Sequence, residues 1–126
     1  ARLGLALDDI QATRGGAEAL RVAAAGFAAT LDGAARNRLS ALAEAAKGLG
    51  SKADFAAARL AFGKVSTQII QLAHGAKLGG EVFVFQCPMV EQGEPRWLQS
   101  TAEMNNPYMG KRMPKCGGRV PLRPSP

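Results

Sequence analysis

Four sulfur side chains carry the donor chemistry of this sequence: Cys87, Met89, Met113 and Cys116. They fall in two short strings, Cys87-Pro88-Met89 and Met113-Pro114-Lys115-Cys116. On a continuing strand, side chains two apart share a face, so Cys87 and Met89 are expected to point at one spot. Met113 and Cys116 stand across a turn and offer a second thioether and thiol within reach of one ion. Two thiolates with two thioethers make a soft donor set, which selects Cu(I) and, by the same logic, Ag(I). Zinc is disfavoured, because structural zinc sites use cysteine and histidine and methionine adds little to them. Lys111, Arg112, Lys115 and Arg119 cluster around the motif. Of these, Lys111, Arg112 and Lys115 are expected to offset the net negative charge of two thiolates and one monovalent ion, and to lower the thiol pKa.

Other readings of the same residues stand beside this one. Cys87 and Cys116 can form a structural disulfide, stabilising the fold by roughly 3–4 kcal/mol on the chain-entropy estimate. Methionine also fills irregular gaps in cores, and that is the role expected of Met104 and Met109. His74, the single histidine, reads either as a surface residue favoured by a helix carboxyl end or as a further ligand. No acid–base pair at recognisable spacing and no phosphate loop accompanies it, so an enzyme is not expected.

The elements that must position these sulfurs come earlier. The chain has 126 residues, enough for one domain with a real core. Its apolar fraction is 47%, but the longest apolar run, Val22 to Leu31, falls far short of the roughly 18 residues needed to span a bilayer. Ala1 to Leu7 is too short for a secretory signal, and Asp8 and Asp9 interrupt it. Net charge is +6, yet most basic residues are interspersed with acids along helices, so nucleic-acid binding is not expected.

Residues 1–78 read as a bundle of three to four helices. Leu3, Leu7 and Ile10 are helically spaced, with Gly15-Gly16 expected to break that helix. Leu20, Ala24, Phe27 and Leu31 form the next apolar face, and Asp32-Gly33 supplies a turn and an N-cap. Leu39, Leu42, Ala46 and Leu49 make a third stripe. Ser51 to Asp54 resembles a capping box, leading into Phe55, Ala58, Phe62, Val65, Ile69, Leu72 and Ala76, the longest stripe in the chain. After Gly79-Gly80, Glu81 to Phe85 reads as a buried strand, apolar on both faces. Ser100 to Glu103 suggests another capping box, with a short helix around Met104. Residues 79–118 form the strand and metal-binding lobe, and 119–126 an extended tail. The fold class is therefore α+β: a helical bundle with a small carboxyl-terminal β/loop lobe.

One resemblance adds to this reading. Cys87-Pro88-Met89, Trp97-Leu98-Gln99, Asn106-Pro107-Tyr108, Gly110, Met113 and Cys116-Gly117, in that order, are similar to a family of small domains. These occur alone or at the carboxyl end of CusB-type periplasmic adaptor proteins of heavy-metal efflux systems. The match covers residues 82–118; over the helices only the pattern of apolar positions agrees. The long hairpin, lipoyl-type domain and β-barrel of an adaptor do not fit in these residues, so the likeness is to the small domain alone. The resemblance implies a periplasmic metal-binding protein, concerned with copper or silver resistance, that hands Cu(I) or Ag(I) to an efflux or copper-handling partner as a metallochaperone does. It points to Cys87, Met89, Met113 and Cys116 as ligands and to packing for Met104. The alternative is a disulfide-stapled interaction module of an efflux complex that binds no metal.

Overall fold

A computed structural model describes residues 1–75, 82–90 and 95–122. The expectations for Ala76, Gly79-Gly80, Glu81 and the last residues of the tail lie outside these. The architecture is α+β, with helices packed together and followed by a small antiparallel sheet. In chain order the elements are α1 (Arg2–Ala6), α2 (Ile10–Ala28), α3 (Gly33–Gly50), α4 (Phe55–Gly75), β1 (Phe83–Gln86), β2 (Arg96–Gln99), a 3-10 turn (Gly110–Arg112) and β3 (Gly118–Val120).

The amino-terminal break falls at Leu7–Asp9, and α2 runs through Gly15-Gly16. Asp8 takes a positive φ of 54°, and the Asp9 carboxylate accepts from the Ala12 amide at 3.0 Å, capping α2. A capped start outweighs the modest helix penalty of two glycines. Gly16 also leaves room for Ala1, which a Cβ would strike.

The buried face of α2 is Thr13, Ala17, Ala24 and Ala28, with Leu20 half-buried beside it. Phe27, expected inside, is 66% exposed. Helix α2 packs on α3, which buries Leu42, Ala43, Ala46 and Leu49. Close helix packing needs such short residues, so the larger Phe27 is turned outward. Arg14 donates to the Gly50 carbonyl at 3.1 Å, satisfying an end group of α3.

Ser51 and Asp54 divide the work expected of one box. The Ser51 hydroxyl donates back to the Gly48 carbonyl, closing α3. The Asp54 carboxylate accepts from the Ala57 amide at 2.9 Å, opening α4. Ala58, Phe62, Val65, Ile70 and Ala73 of α4 are buried, while Ile69 and Leu72 of the expected stripe are half-buried. One side of α4 packs on α3 and another on β2, with α1 touching it as well.

The sheet order is β2-β1-β3, both pairs antiparallel. Phe83, Val84 and Phe85 are all buried, which explains the run of apolar residues on the central strand. An aromatic chain joins sheet to helix. Trp97 stacks on Phe85 at 5.5 Å, Tyr108 meets Trp97 edge-on at 6.0 Å, and Phe62 meets Tyr108 at 5.5 Å. Such contacts hold ring orientation beyond simple burial.

No helix forms around Met104. The buried Gln99 amide donates to the carbonyls of Thr101 and Glu103, and its Oε1 accepts from Trp97 Nε1 at 2.9 Å. Carbonyls engaged by a side chain favour the bent backbone seen there over helical pairing. Among the described residues, no helix is long and apolar enough to cross a membrane.

Candidate metal centre

The end of β1 positions the first thiol. Cys87 follows directly, 1% exposed, and its amide bonds the Pro95 carbonyl at 2.9 Å, extending the β1–β2 ladder by one step. Cys116 lies two residues before β3, and its amide closes a tight turn onto the Met113 carbonyl at 3.2 Å. The Cys116 thiol lies near enough to Cys87 to feel its charge, and neither is in a disulfide.

Gly117 allows this approach. Gln86 pairs with Gly118, so the next step of that register sets Gly117 opposite Cys87. Gly117 has φ of 130°, and a Cβ there would lie 2.7 Å from the Gln86 carbonyl oxygen and 3.3 Å from Met104 Sδ. Only a residue without a side chain takes that conformation and that space.

Asn106, fully buried, holds the Cys116 segment from the other side. Its Nδ2 donates to the Cys116 carbonyl at 2.7 Å, and its amide donates to the Pro114 carbonyl at 2.8 Å. Its Oδ1 accepts from the amides of Tyr108 and Met109 at 2.8 and 3.1 Å. The Tyr108 hydroxyl donates to the Arg96 carbonyl at 2.6 Å, fixing the loop to β2. Asn-Pro is a turn signal, and a buried asparagine tying two loop segments together is what that signal marked here. Every buried side-chain nitrogen and oxygen among the described residues has a partner.

A second brace comes from the amino terminus. Arg59 donates to the carbonyls of Pro107 and Leu5 at 2.9 and 3.1 Å and pairs with Asp8 at 2.7 Å. The other Asp8 oxygen accepts from the Lys111 amide at 3.1 Å. Gly110, with φ of 63°, sits against this pair where a Cβ would collide.

The thioethers occupy different surroundings. The backbone turns at Pro88–Met89 rather than continuing the strand, since proline is suited to a turn's second position. The strand argument that set Met89 beside Cys87 on one face therefore does not hold. Met89 is 55% exposed and shares a cleft with Met109 and Tyr108 against Ala56, Arg59 and Leu60 of α4. Met113, just past the 3-10 turn, is 38% exposed. Met104 and Met109 are half-buried and packed on the core. His74 is exposed in the last turn of α4. Among the described residues, no three histidine, cysteine, aspartate or glutamate side chains come together.

The basic residues do not lower the Cys116 pKa as expected. Cys116 is pushed above its ordinary value of 9.0, first by desolvation and then by the neighbouring Cys87. Lys115 is directed elsewhere, to the Glu103 carboxylate at 3.0 Å and the Met104 carbonyl at 2.7 Å. The Arg119 guanidinium lies 4.4 Å over the Phe83 ring. Comparison with family models, curated proteins and solved structures gives no match for this chain.

Proposed function

We propose that this protein binds Cu(I) or Ag(I) through cysteine and methionine sulfur and passes the ion to a heavy-metal efflux or copper-handling partner. The compartment is extracytoplasmic, the periplasm, and no catalysis is involved. The observation that supports this reading is the pair of neighbouring free thiols, Cys87 and Cys116. A pair of thiolates is a soft anionic donor set suited to a soft monovalent cation.

Hand-off needs an accessible ion of low coordination number, so that an incoming sulfur attaches before an outgoing one leaves. Half-buried Cys116 and exposed Met89 and Met113 supply that access. The motif resemblance over residues 82–118 supports the choice of partner and compartment. Thiols this close also suit a disulfide, the basis of the second reading: a stapled interaction module that binds no metal. A free-thiol count on the protein as purified under air separates the two.

The direct test is competition for Cu(I) between the reduced protein and a chromogenic chelator. One ion per chain is expected, and Cys87→Ser with Cys116→Ser should abolish binding. Unchanged competition by that double variant overturns the reading.

A further inference from the structure

We infer that Met104 supplies the third sulfur of the metal site, closing the Cys87–Cys116 pair into a three-coordinate centre. The inference rests on the soft-metal reading above and names a donor that the sequence pattern assigned to packing. Three separate observations carry it.

Met104 Sδ lies 3.3 Å from the point a Gly117 Cβ would occupy. Gly117 adjoins Cys116 in the chain and faces Cys87 across the β1–β3 register. The Met104 thioether thus fills the room left by the missing Gly117 side chain, one residue along the chain from Cys116 and next to the residue that precedes Cys87.

The backbone carrying Met104 is bound to the backbone carrying Cys116. Lys115 Nζ donates to the Met104 carbonyl, the Asn106 amide donates to the Pro114 carbonyl, and Asn106 Nδ2 donates to the Cys116 carbonyl. These three bonds hold residues 104–106 along residues 114–116. Their side chains are therefore set relative to one another before any ion arrives.

Met104 is half-buried and packs on the same core cluster as Cys116, whereas Met89 and Met113 are exposed. A third donor for a site whose first cysteine is buried must come from inside. Two thiolates and one neutral thioether leave a net charge of −1 around a monovalent ion. Met89 and Met113 are then rim groups that an ion meets while entering or leaving.

Methionine-methyl NMR of the reduced wild-type protein, titrated with Ag(I), tests this without altering the fold. The chain has four methionines, and each methyl is assigned from its Met→Leu variant. The Met104 methyl should shift in proportion to bound Ag(I) until one equivalent is reached, with smaller changes at Met89 and Met113. Met104→Leu should weaken Cu(I) binding about tenfold, equivalent to ~1.4 kcal/mol. Met89→Leu with Met113→Leu should weaken it less. A Met104 methyl that stays in place while Ag(I) binds overturns the inference and leaves the soft-metal reading intact. Absence of any Ag(I) or Cu(I) binding by the wild type overturns both.

Discussion

Replacing Asn106 by alanine isolates what holds the second thiol in place. The side chain is fully buried and makes three hydrogen bonds, one donated to the Cys116 carbonyl and two accepted from the amides of Tyr108 and Met109. A net hydrogen bond contributes about 1 kcal/mol, so Asn106→Ala should cost ~3 kcal/mol from these bonds alone. Tyr108 is itself buried; if its orphaned amide stays dry, the total rises toward ~5 kcal/mol. That is a large part of the roughly 5–15 kcal/mol holding a domain folded. Asn106→Asp separates the two ends of the side chain. It keeps an acceptor for the two amides but sets an oxygen against the Cys116 carbonyl, so its effect should concentrate on the thiol pair. Urea denaturation followed by the emission of Trp97, the single tryptophan and fully buried, measures the first effect. The rate at which Cys116 is labelled by an aromatic disulfide measures the second. If Asn106→Ala lies within about 1 kcal/mol of the parent, well below the sum of its bonds, the account of this residue is wrong.

Further outcomes concern the core, the glycine and the thiol. Ile70→Ala should cost about 2–5 kcal/mol in chemical denaturation and more than Ile69→Ala, since only Ile70 is fully buried; equal losses would refute the assignment of the α4 face. Gly117→Ala should cost about 1–3 kcal/mol from backbone strain alone, with a further penalty from the Gln86 carbonyl; a variant as stable as the parent would refute it. The raised Cys116 pKa gives a sign for pH. A thiol whose folded pKa exceeds its unfolded one stabilises the fold below the unfolded value and loses that contribution as pH rises through the folded one. Metal-free protein should lose stability on the alkaline side, less so in Cys116→Ser, and iodoacetamide should modify Cys116 with a midpoint above that of an unperturbed thiol. A midpoint below it would show that the basic residues, Lys115 foremost, govern the thiol after all.

The helical half and the central strand were legible because periodicity reports burial directly. The α3 residues Leu42, Ala46 and Leu49 and the α4 residues Ala58, Phe62 and Val65 are buried as their spacing demands. Phe27 was misread because hydrophobicity alone does not say whether a facing helix leaves room for a ring. Gly15-Gly16 was misread as a break because the competing start signal, Asp9, lay a few residues earlier. At the site, cysteine identity drew attention to the thiols, but the two-residue rule for strands lost its premise for Met89 once Pro88 turned the chain. Asn106, Gln99 and Gly117 carry no sulfur to draw the eye to them. Their part depends on which carbonyls, amides and open spaces distant strands bring to them, and that information is long-range.

The brace from Asp8 to the Lys111 amide joins residues 103 positions apart, and the hydrogen bond from Arg2 to Gln99 joins residues 97 apart. On a ribosome the amino-terminal partner of each contact waits through the synthesis of every helix before the other exists. Closing such wide loops is slow compared with helix growth, because the entropy of joining the ends comes before the contacts that reward it. Cys87 leaves the exit tunnel well ahead of Cys116 and spends that interval as a solitary thiol, open to small oxidants or to a neighbouring chain. The second half of the sulfur pair is delivered by some of the last described residues to emerge. Translation rate and the redox conditions the chain meets while it folds thus bear on whether the pair assembles within one chain or between two.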